Sequence, residues 1–107
     1  MQIDKVVEDG LVAVLVSPGY GAGWSTWNRG EASMRMTFDP DIVEWVRNGK
    51  VGQRVNLEEK YGEDYICQLG WDQLEIVWLP VGTQFSIDEY DGFESIELLS
   101  SSHFMEA

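Results

Sequence analysis

Few side chains in this sequence could do chemistry on their own. There is one cysteine, Cys67, and one histidine, His103. A Cys67–His103 nucleophile pair is formally available. However, Cys67 sits in "DYICQLGW", which reads as a buried strand or turn, and His103 lies four residues from the C-terminus, where chains commonly fray. One His and one Cys do not make a zinc site of the usual kind, and no Ser/His/acid set can be assembled. Paired carboxylates could run a glycosidase, but acids at an exposed hairpin tip lack the pocket that raises one pKa. The residues point to no catalytic group, no metal site and no cofactor.

The second candidate is a loop, "SPGYGAGWSTWN", residues 17 to 28. Gly19, Gly21 and Gly23 are spaced two apart, whereas a dinucleotide fingerprint needs its third glycine three positions after the second, opening a helix. No Gly-Lys-Ser/Thr follows, and the twelve residues contain no cation to meet a phosphate. There is also too little room after it for a crossover helix before the next expected strand. Two readings stay open. Tyr20, Trp24 and Trp27 beside Ser25, Thr26 and Asn28 have the composition of a sugar, base or peptide groove. Alternatively, the glycines make a tight connection and the tryptophans tuck into the core.

The elements that must position these residues can be read from periodicity. "KVVEDGLVAVLV" predicts a hairpin about Asp9-Gly10. Leu11 to Val16 is continuously apolar, as befits a central strand buried on both faces. "MRMTF", 34 to 38, alternates and predicts a further strand. In "DPDIVEWVRNG", Asp39 caps a helix, Pro40 takes its first position and Asn48-Gly49 stops it. Ile42, Trp45, Val46 and Gly49 line one face of that helix. A shorter helix starts at Asn56, with Glu59 as capping partner, and ends near Gly62.

"QLEIVWL", "QFSIDEY" and "FESIELL" predict a three-stranded antiparallel meander. A two-residue turn at Asp91-Gly92 pairs Ile87 with Ile96 and Phe85 with Leu98. A four-residue loop at 80 to 83 pairs Ile76 with Ile87 and Trp78 with Phe85. Both registers put those apolar rows on one face. They also set Glu89 opposite Glu94, with Leu74 completing that row, and Glu75 opposite Asp88. With Asp91 in the turn, five carboxylates would crowd one sheet end. Solvation of a splayed hairpin tip, a basic partner surface, or a hard cation such as Ca²⁺ or Mg²⁺ could offset the repulsion.

The expected whole is one α+β domain over 1–107. It has a largely antiparallel sheet, one clear helix near 40–48 and a second short one near 57–61. At 107 residues and 44% hydrophobic, the chain can bury a core without staples. Net charge is −12. Residues 1 to 60 contribute −2, while residues 61 to 107 hold ten acids and no Lys or Arg. That field disfavours direct nucleic-acid binding and favours a basic protein partner. No apolar run is long enough for a membrane span, no signal peptide is evident, and a lone cysteine fits a reducing cytoplasm. An exposed strand edge could also make a homodimer.

"PGYGAGWSTWN" (18–28), "DPDIVEWV" (39–46) and "LEIVWLPVGTQFSIDEYDGFESIEL" (74–98) together resemble a family of small proteins encoded in bacteriophage, prophage and other mobile genomes. The resemblance spans roughly residues 11 to 98, and its motifs carry no assigned catalytic role. It implies a bacterial cytoplasmic setting. It makes an inhibitor of host nucleic-acid machinery, of anti-restriction or anti-CRISPR type, a reasonable expectation. In that reading Glu75, Asp88, Glu89, Asp91 and Glu94 stand in for backbone phosphates. The alternative is a small-ligand binder using Gly19, Tyr20, Gly21, Gly23, Trp24, Ser25, Trp27 and Asn28.

Overall fold

The computed structural model describes residues 3–18, 24, 30–52, 56–61, 73–90, 93–98 and 105–107. The expected hairpin forms between β1 (Val7–Glu8) and β2 (Leu11–Val16), with Val7 opposite Val12. Asp9 and Gly10 both take positive φ, 53° and 79°, the mirror-image turn that matches strand twist.

The segment expected as a strand at 34–38 is helical instead: α1 spans Gly30–Phe38. Its alternation of Met34, Met36 and Phe38 mimics a strand, but the run "EASMRM" is made mostly of good helix formers. Met36 and Phe38 are both buried, although in different cores. Pro40 then forces Asp39 into an extended conformation, φ −51° and ψ 114°, which breaks α1 from α2 (Pro40–Arg47). The Asp39 side chain accepts hydrogen bonds from the backbone N–H groups of Asp41 at 2.9 Å and Ile42 at 3.3 Å. At the far end Asn48 caps and Gly49 turns at φ 80°. The helix α3 (Leu57–Tyr61) starts as expected, with Asn56 Oδ1 accepting from the Glu59 N–H at 3.1 Å.

Three further strands follow, β3 (Glu75–Pro80), β4 (Gln84–Tyr90) and β5 (Phe93–Leu98), with a short β6 (Met105–Glu106). The β4–β5 register is the expected one, with Phe85 opposite Leu98, Ile87 opposite Ile96 and Glu89 opposite Glu94. The expected β3–β4 pairing is not formed. Instead β3 lies antiparallel along all of β2, placing Glu75 opposite Val16 and Trp78 opposite Ala13. One sheet is therefore β1-β2-β3 and the other β5-β4-β6.

The reason is in the side chains. "IVWL" in β3 is apolar at every position, so β3 needs two covered faces, as β2 does. By contrast β4 and β5 alternate and need only one.

The first sheet accordingly forms the middle layer. Ala13, Leu15, Ile76 and Trp78 pack toward the helices with Trp24, Met36, Ile42, Val43, Trp45 and Leu74. From the opposite face Val12, Val14, Val16, Val77 and Leu79 pack against Phe85, Ile87 and Ile96 of the second sheet. Ile76 and Trp78 thus belong to a different core from Phe85 and Ile87, contrary to the meander reading. Phe38 closes the second core, its ring edge-on to Phe85 at 6.1 Å between centroids. Leu98, expected inside, is 54% exposed because β5 is an edge strand.

Candidate functional site

Glu89 stands opposite Glu94 as expected, but the expected carboxylates are not all surface groups and Glu75 does not pair with Asp88. Glu94 alternates inward from β5, is 1% exposed, and accepts from two backbone N–H groups, Ser17 at 3.0 Å and Trp24 at 2.8 Å. Its own N–H donates to the Ser17 carbonyl at 2.9 Å. It is an internal brace joining the second sheet to Ser17 and Trp24 of the glycine-aromatic loop. Glu75 sits on the other sheet, opposite Val16 rather than Asp88. Asp88 and Glu89 remain exposed together near the end of β4. Asp91 lies outside the described residues.

Trp24 is completely buried, and its indole N–H donates to the Met36 carbonyl at 3.0 Å. It is therefore a core residue and cannot serve as a ligand platform. The other loop candidates, Gly19, Tyr20, Gly21, Gly23, Ser25, Trp27 and Asn28, lie outside the described residues, as do Cys67 and His103. Among the described residues no group of three or more His, Cys, Asp or Glu side chains is placed to hold a metal ion. Nor is any described helix long and apolar enough to cross a membrane.

A site that sequence reasoning missed lies where three helices meet. A cavity of about 400 Å³ is lined by Ile3 and Asp4 before β1, Arg35 of α1, Asp39, Pro40 and Asp41 at the start of α2, and Lys60 and Tyr61 of α3. Asp39 organises it. Besides capping α2, its 2%-exposed carboxylate takes the Lys60 ammonium at 2.7 Å and the Tyr61 hydroxyl. Lys60 also reaches Asp41 at 2.9 Å, and the Arg35 guanidinium lies 5.0 Å from the Tyr61 ring centroid.

These contacts fix the protonation states. Burial pulls the Lys60 pKa down, but hydrogen bonds to Asp39 and Asp41 outweigh it and the net shift is upward. Burial, then the hydrogen bond to Asp39, pushes the Tyr61 phenol well above its ordinary value. At neutral pH Lys60 is an ammonium and Tyr61 a phenol, so neither is poised as base or nucleophile. The cavity is lined by fixed charges of both signs. The sequence signal was available, since the cap "DPD" was legible, but nothing local to residue 39 announces that Lys60 and Tyr61 converge on it.

At the other end of α2 Arg47 pairs with Glu8, its Nη2 donating at 3.2 Å to Oε1, and lies 5.7 Å from the Trp78 ring centroid. Arg35, Arg47 and Lys60 thus meet partners on the helices and the first sheet, while Lys5 donates to the Glu106 carbonyl of β6 at 2.8 Å. The described residues of the second sheet include no lysine or arginine at all. Comparison of the chain with protein-family models, with curated proteins and with solved structures finds no match in any of the three.

Proposed function

We propose that the protein is a non-catalytic acidic binding protein of phage or mobile-element type that docks on a basic surface of a bacterial nucleic-acid-handling protein in the cytoplasm. The observation that carries this reading is the charge separation: all seven Lys and Arg precede residue 61 while ten acids follow. The second sheet turns the outer positions of β4 and β5 to solvent. Asp88 and Tyr90, the latter 74% exposed, stand there beside Ser95, with Glu89 exposed at the same end. An exposed aromatic next to acids is the usual composition of an anchor for arginine-rich surfaces. The docking residues are narrower than the sequence reading had them. Asp88 and Glu89 fit this role. Glu94, whose carboxylate is committed to Ser17 and Trp24, does not.

The test is capture of partners from a bacterial lysate by the tagged protein at low and high salt. Three proteins are compared: wild type, D88N/E89Q, and D9N/E59Q, which removes the same charge elsewhere. A nucleic-acid-handling protein that elutes with salt, is lost with D88N/E89Q and is retained by D9N/E59Q supports the reading. Equal capture by both variants would overturn it.

A further inference from the structure

We infer that the helical cavity is a binding site for a small zwitterion of the α-amino-acid class, independent of the acidic sheet face. Arg35 is the key residue. This chain has nineteen carboxylates and seven Lys or Arg, so a carboxylate partner is easily found. Arg47 has Glu8, and Lys60 has Asp39 and Asp41. Arg35 shares a cavity with three aspartates, yet its contact is the Tyr61 ring, and among the described residues no carboxylate pairs with it. Its planar fork of donors is suited to a carboxylate entering from outside.

The neighbouring donors are already used. Asp39 satisfies the first N–H groups of α2, and Pro40 has none to offer, so the helix end presents no anion site of its own. A simple anion would also meet Asp4 and Asp41, both exposed at the cavity mouth, within a strongly negative protein. A ligand that carries an ammonium beside its carboxylate turns that repulsion into attraction: the carboxylate goes to Arg35 and the ammonium to the aspartates. Ile3, Pro40 and the Tyr61 ring supply an apolar wall for a short side chain. The volume of about 400 Å³ accommodates a molecule of this size.

The experiment is calorimetric titration of the full chain at low salt with L-leucine, L-alanine, propionate and propylamine. The expected result is saturable binding of at least one amino acid with Kd on the order of 1 mM or tighter, and at least about tenfold weaker binding of propionate and propylamine. R35Q is expected to weaken the amino acid at least about tenfold, and D4N, at an exposed position, to weaken it several-fold, both with an unchanged thermal midpoint. Propionate binding as tightly as L-alanine, no saturable heat with either amino acid, or full affinity in a folded R35Q or D4N would each overturn the assignment.

Discussion

Glu94 shows how much one side chain can settle. A carboxylate on an alternating edge strand would ordinarily be assigned to solvent, but the inward parity that carries Ile96 into the core carries Glu94 with it. Its two oxygens then replace water for the N–H groups of Ser17 and Trp24, which have gone out of solvent with it. Replacing it by alanine leaves both donors buried without that acceptor, at a cost of about 3 kcal/mol. E94Q keeps one carbonyl oxygen and should lose about half as much. Urea denaturation of the two variants checks this. An E94A protein as stable as wild type would mean that the brace contributes nothing. Within the glycine-aromatic loop the same residue ties down Ser17 and Trp24, and Trp24 itself is a core side chain.

Among the elements, the three helices depend on a shared cap. Asp39 ends α1, starts α2 and receives Lys60 and Tyr61 from α3, so one carboxylate fixes the relative placement of all three. The D39A variant should therefore cost more than an ordinary cap. Loss of the cap alone is worth about 1 kcal/mol, and the ammonium and phenol left beside an empty position bring the expected total to about 2–3 kcal/mol. D39N retains the capping oxygen and should recover the first part only. Helical circular dichroism and thermal melting of the pair separate the two contributions. Equal melting of D39A and D39N would show that the cap is irrelevant.

For the whole molecule, pH links that latch to global stability. Lys60 and Tyr61 both hold their protons more tightly folded than unfolded. A raised pKa contributes stability that is complete below the unfolded value and is lost as pH rises through the folded one. The ordinary values are 10.5 and 10.0, so the thermal midpoint should be insensitive to these groups in the neutral range and fall above about pH 10. Tyrosinate absorption should show one phenol that ionises only as the protein unfolds. If all four tyrosines titrate together while the fold persists, the Tyr61–Asp39 contact is not maintained in solution.

Much of this was legible along the chain. The Asp9-Gly10 turn, the caps at Asp39 and Asn56, and the β4–β5 register depend on residues close in sequence, where propensity and two-residue turn geometry decide the outcome. The α+β class and the one-sided charge follow from pattern and composition alone. What tertiary structure decided was which faces are covered, and by what. Alternation at 34–38 is compatible with strand or helix until two separate cores claim Met36 and Phe38. A short loop at 80–83 can close a hairpin or carry the chain to another layer, and the apolar Ile76–Leu79 stretch of β3 lies beside β2, where both its faces are at least partly covered. Asp39, Arg35, Lys60 and Tyr61 converge through contacts more than twenty residues apart, and local sequence carries no energy term for such a meeting.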